Sequence, residues 1–293
     1  MKIQVKFLRV VFTLLSVIAV LTVGTAGAKE RGEGEAHYLA LGDSVAFGYI
    51  TQDGFAYVNP SNFIGYPEYV GRWLRFHTAN AACPGETTGG FLSLTAVDNG
   101  CNAFRAEFPL HVAYTSSQLD FATAFLKDHR ETRLVTIALG ANDGFLLEDS
   151  CATAANPELC IEAGLPALLA TVEGNMQTIL GDLRATGYGG AIVVLNYYST
   201  DYTDATQTEL TELLNQAMSA PAAAFGAVVA DVFSAFEKAA TPAGGKTCNA
   251  GLLNVNPQNQ ALCDVHPTQS GQRLMAQTVV HALAAARAED HHH

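Results

Sequence analysis

The sequence predicts an α/β fold, an open and mainly parallel sheet covered by helices on both faces. Two observations predict it. Short apolar runs rich in Val, Ile and Leu recur without polar alternation, as strands buried on both faces do. Stretches with apolar residues at helical spacing lie between them, and strand–helix alternation builds such a sheet. No repeat, low-complexity tract or linker interrupts the series, so residues 29–290 read as one domain.

The first strand is 37–41 (HYLAL), which runs into Gly42-Asp43-Ser44. A weaker strand is expected near 78–82. The helix at 116–129 carries Leu119, Ala122, Phe125 and Leu126 at helical spacing. It leads to the strand at 134–139 (LVTIAL). A helix at 165–185 and a strand at 191–195 (AIVVL) follow, then a helix at 206–224 and a strand at 227–230 (AVVA). Asp231 reads as the start of a helix, and 272–286 forms the last one. Segments 91–114 and 144–164 fit neither pattern and are expected to be irregular. Both follow a strand's carboxyl end, where open α/β sheets bind ligands, so they are candidate substrate walls.

Residues 1–28 stand apart. Lys2, Lys6 and Arg9 precede an apolar run of 14 residues from Val10 to Val23, and Ala26-Gly27-Ala28 supplies small residues. That pattern is a secretory signal peptide cut near Lys29. A membrane-spanning helix needs about 20 apolar residues, so no lasting membrane anchor is expected and the mature chain is expected to be secreted. Removing the leader takes away three basic residues and no acidic one, moving the formal charge from −12 to −15. Such a surface repels nucleic-acid phosphates, so no nucleic-acid partner is expected, and a monomer is.

All six cysteines lie beyond the leader, which in an exported chain reads as disulfides. Six cysteines allow many pairings that sequence does not rank. Pairing in chain order, Cys83–Cys101, Cys151–Cys160 and Cys248–Cys263, is the simplest. There is no C-x-x-C and no H-x-x-x-H, so no metal site is expected. The three histidines at 291–293 resemble a purification tag and are set aside. Gly244-Gly245-Lys246-Thr247 is no phosphate loop, since its first glycine is missing and no strand leads into it.

Four segments carry chemistry. Ser44 follows a buried strand with glycine two residues before it, which suits a nucleophile exposed at a helix start among backbone N–H groups. The tripeptide alone is also an ordinary turn, and Ala46 breaks the G-x-S-x-G elbow. The other three are Cys83-Pro84-Gly85-Glu86-Thr87-Thr88, Gly140-Ala141-Asn142-Asp143 and Asp264-Val265-His266-Pro267.

This ordered set resembles the SGNH/GDSL hydrolase family, especially its secreted actinobacterial-type members. The likeness spans most of the mature chain. It implies a three-layer α/β/α sandwich with a five-stranded parallel sheet, flavodoxin-like, and hydrolysis of small-molecule or lipid esters without a metal or organic cofactor. Ser44 would be the nucleophile and His266 its base. The backbone N–H groups of Ser44 and Gly85 and the amide of Asn142 would hold the oxyanion. One position departs from the family pattern. The acid expected three residues before the histidine is Cys263 here, and Asp264 lies two before. Either Asp264 or the Cys263 carbonyl would orient His266. Esterase or lipase leads the readings; phospholipase, thioesterase, carbohydrate deacetylase and a non-catalytic binding protein are the rivals.

Overall fold

The computed structural model describes residues 36–50 and 54–290; the signal peptide expected at residues 1–28 and the terminal histidines lie outside them. The apolar runs form five parallel strands: β1 (His37–Gly42), β2 (His77–Asn80), β3 (Thr132–Ala138), β4 (Ala191–Leu195) and β5 (Ala227–Ala230). Their spatial order is β2-β1-β3-β4-β5. The chain leaves β1 for one neighbour and returns on the other side as β3. That reversal opens a crevice at the carboxyl ends of β1 and β3, where this strand order binds ligands.

Ten helices are described: α1 (Ser44–Phe47), α2 (Tyr66–Leu74), α3 (Thr88–Leu92), α4 (Cys101–Glu107), α5 (Gln118–Asp128), α6 (Ala141–Cys151), α7 (Pro157–Ala185), α8 (Ala205–Ser219), α9 (Val232–Ala240) and α10 (Gln269–Asp290). Helices α2, α9 and α10 pack together on one face, and α3, α5, α7 and α8 on the other. The three layers close over strands whose Leu39, Leu41, Val135, Ile137, Val193 and Leu195 are buried. Each such side chain contributes roughly 1.5–3 kcal/mol by leaving water.

The expected strands and the long helices match these elements, with Pro221 accounting for the early end of the 206–224 helix. Segment 144–164 is a correction. It is not irregular but holds the end of α6 and the start of α7. Asn156 caps α7 by accepting from the Leu159 N–H at 3.1 Å, and Pro157 takes the first helical position. Segment 91–114 is likewise partly helical, through the end of α3 and all of α4. Helix α2 and an antiparallel ribbon, β6 (Leu253–Val255) with β7 (Cys263–Pro267), complete the chain. The disulfides join Cys83–Cys101, Cys151–Cys160 and Cys248–Cys263, the chain-order pairing.

Candidate active site

Ser44 sits at the first position of α1, just beyond β1. Gly42 passes against β3 with φ +138°, and a Cβ there would lie 2.1 Å from the Ala138 carbonyl oxygen. Only glycine permits that approach. Asp43 then caps α1, accepting from the Val45 N–H at 2.9 Å. The chain therefore turns sharply and lifts Ser44 from the sheet edge.

His266 lies on β7, 222 residues away in sequence, yet its Nε2 is 3.1 Å from Ser44 Oγ. Its Nδ1 is 2.8 Å from Asp264 Oδ1, which also accepts from the His266 backbone N–H at 3.1 Å. Burial pushes the Asp264 carboxyl up, but its hydrogen bonds from His266 and the attraction of that ring reverse this. The group ends below the usual carboxylate range. Of the two candidates for orienting the imidazole, Asp264 is the one that meets it. Tyr198 donates its hydroxyl to the Val265 carbonyl at 2.6 Å, and Cys248–Cys263 ties down the start of β7. Tyr49 packs on the His266 ring at 4.8 Å between centroids.

Gly85 has φ +83°, and a Cβ on it would lie 2.3 Å from the Asn99 carbonyl oxygen, so this turn too requires glycine. Among the described residues, no acceptor takes the backbone N–H of Ser44 or of Gly85. Asn142 stands near the start of α6 and is buried. Its Nδ2 donates to the Glu86 carbonyl at 3.0 Å and, more weakly, to Asp43 Oδ2 at 3.3 Å; its Oδ1 accepts from Asn99 Nδ2 at 2.9 Å. Asp143 ties the two loops together, accepting from the Thr88 hydroxyl at 2.6 Å and the Thr88 N–H at 2.9 Å.

Sequence reasoning gave no role to Asp43, Tyr197 or Glu86. Asp43 is fully buried; burial raises its carboxyl to about 6 against the pull of the Tyr197 hydroxyl, which donates to Oδ2 at 2.5 Å. Tyr197 lies two residues past the end of β4 at the ligand-binding edge, a signal the sequence did carry. Glu86 is buried behind Gly85, and burial raises it to about 8.

A cleft of about 340 Å³ leads from Ser44 and Asn142 between α6, α7 and α8. Leu147, Ile161, Leu165, Leu168, Leu210 and Leu214 line it. Of the two candidate walls, 144–164 therefore borders the cleft. Segment 91–114 does not; it braces the Gly85 turn through Asn99 and Cys101 and packs Phe104 against Tyr49 and Tyr57.

The fold is shared with several solved structures. Phospholipase A1 of Streptomyces albidoflavus is 18% identical, with a TM-score of 0.52 over 85% of this chain and 99% of that one. A lipase from a goat rumen metagenome is 14% identical, TM-score 0.54, over 84% and 97%. An acetyl xylan esterase variant of Geobacillus stearothermophilus is 13% identical, TM-score 0.50, over 84% and 94%. At these identities the likeness is one of fold. No curated protein matches the chain. The model of the GDSL-like lipase/acylhydrolase family matches residues 40–274, which take in all four chemical segments. The chain belongs to the GDSL-like lipase/acylhydrolase family and is a hydrolase of carboxylic esters.

Proposed function

We propose that this protein is an exported serine esterase or lipase that cleaves esters of apolar acyl chains through an acyl-enzyme on Ser44. One observation carries the reading: the hydrogen-bonded series Ser44–His266–Asp264 opens onto a leucine-lined cleft. His266 Nε2 takes the Ser44 proton as Oγ attacks the ester carbon, a step worth roughly 10²–10⁴ in rate. Asp264 keeps the other ring proton on Nδ1 and stabilises the imidazolium that forms.

The oxyanion forms beside the Ser44 and Gly85 N–H groups and the Asn142 amide. Asn142 keeps its bond to the Glu86 carbonyl and lends the hydrogen held loosely by Asp43. Each preorganised donor lowers the barrier by about 3–4 kcal/mol. His266 then protonates the leaving alkoxide, and a water activated by the same ring releases the acid. An apolar groove suits an acyl chain better than a sugar, which favours esterase or lipase over deacetylase.

Export rests on the pattern of residues 1–28 and on three disulfides, which persist in oxidising compartments. Among the described residues no helix is long and apolar enough to cross a membrane. The test is a p-nitrophenyl ester series from acetyl to palmitoyl, with wild type, Ser44→Ala and Leu210→Trp. Ser44→Ala should be inactive throughout, and Leu210→Trp should lose the longer esters while keeping the acetyl ester. An unchanged chain-length profile in Leu210→Trp would remove the cleft as the acyl site.

A further inference from the structure

At the opposite edge of the sheet from Ser44, three side chains converge. His37 opens β1, while His129 and Glu131 flank the turn from α5 into β3. Glu131 Oε1 lies 3.2 Å from His37 Nε2 and 3.2 Å from His129 Nδ1. All three donor atoms fall within 4.8 Å of one another. The two imidazoles stack at 4.7 Å between centroids, and Phe125 packs on both rings. His77, at the start of β2, meets His37 edge-on at 5.2 Å. The group is partly sheltered rather than buried, so an ion can reach it.

Zinc binds imidazole nitrogen and carboxylate oxygen at about 2.0–2.2 Å in a tetrahedron, which spaces neighbouring ligand atoms by roughly 3.3–3.5 Å. Two of the three separations here already have nearly that length. Two imidazoles and one carboxylate are a known zinc donor set that leaves the fourth position to water. Calcium and magnesium want six or more oxygens, and this cluster offers a single carboxylate. The spacing rules applied to the sequence could not find it, because His37 and His129 meet only when β1 and β3 pair.

We propose that His37, His129 and Glu131 form a zinc site that fastens the amino-terminal edge of the sheet. In the metal-free chain the ring nitrogens share the Glu131 oxygen and the rings lie stacked, 23° from parallel; on binding, the rings leave that stack, each carries its proton on the other nitrogen and turns a lone pair in its own plane to the ion. The site lies about 20 Å from Ser44, the length of β1, so it stabilises the sheet without entering the hydrolysis.

The test uses the full chain with its three terminal histidines replaced by alanine, so that the tail cannot chelate. Zinc chloride is titrated calorimetrically, and Tm is followed with and without it. One zinc per chain is expected, with a rise in Tm of about 5–10 °C at a hundredfold excess over Kd. His129→Ala and Glu131→Gln should each weaken binding at least about tenfold, while p-nitrophenyl acetate hydrolysis stays near the wild-type rate and reports a native fold. Should His129→Ala not fold, the isosteric Glu131→Gln carries the comparison. Equal affinity in wild type and Glu131→Gln overturns the proposal, as does the absence of any zinc-dependent rise in Tm.

Discussion

Replacing Glu86 by glutamine should flatten the stability of this protein against pH. Glu86 is buried behind the Gly85 turn, where its Oε2 accepts from Gln118 Nε2 at 3.3 Å. Gln118 in turn holds both backbone groups of Gly42, accepting from its N–H at 2.7 Å and donating to its carbonyl at 3.1 Å. Burial raises the Glu86 carboxyl from its ordinary 4.5 to about 8, so the folded chain keeps a proton that the unfolded chain releases. Between those two values the folded state binds more protons, and stability must fall as pH rises. From pH 6 to pH 9 the loss from this one group is about 2–3 kcal/mol. Glutamine keeps the hydrogen-bonding shape and cannot ionise.

Thermal unfolding of both proteins at pH 6 and pH 9 measures the difference. The wild-type drop in Tm should exceed that of Glu86→Gln by roughly 5–10 °C. Asp43 and Glu68, raised by burial to about 6 and about 7, slope the same way in both proteins and cancel in the comparison. Parallel pH profiles would refute the claim that Glu86 is protonated in the native chain.

Two further outcomes concern turnover. Asp264→Asn should lower kcat by roughly 10³–10⁴ by favouring the wrong tautomer of His266; a loss below tenfold in steady-state assays would mean that the backbone alone orients the ring. Asn142→Ala should cost about 10²–10³ in kcat with KM little changed, and a change confined to KM would remove it from the oxyanion site.

Much of this architecture was legible because parallel strands are buried on both faces, so 134–139 and 191–195 stand out as unbroken apolar runs. The edge strand β2, with His77, Thr78 and Asn80, signals weakly because one side of it faces no neighbour. Helix α6 shows no apolar face in the sequence because Phe145 and Leu147 line the open cleft while its buried positions include the polar Asn142 and Asp143. Asn156-Pro157-Glu158 is a plain helix start that an irregular reading overlooked.

The four chemical segments were visible as blocks, but their meeting was not. Contact between Ser44 and His266 depends on where the β6–β7 ribbon folds back. The ambiguity over Asp264 had a physical resolution available only once β7 was known to be extended. In a strand, residues two apart share a face, so an acid two before the histidine reaches it directly. Asp43 reads as a turn residue and Glu86 carries no signal of its own; their perturbed ionisation arises from burial, which sequence does not display.

The most direct test of the central claim is acid-quench mass spectrometry during turnover of p-nitrophenyl butyrate. A butyryl group should accumulate on the peptide containing Ser44, with a burst of p-nitrophenol, and both should vanish in Ser44→Ala. Hydrolysis at the wild-type rate by Ser44→Ala, or acylation of a different residue, would contradict the account.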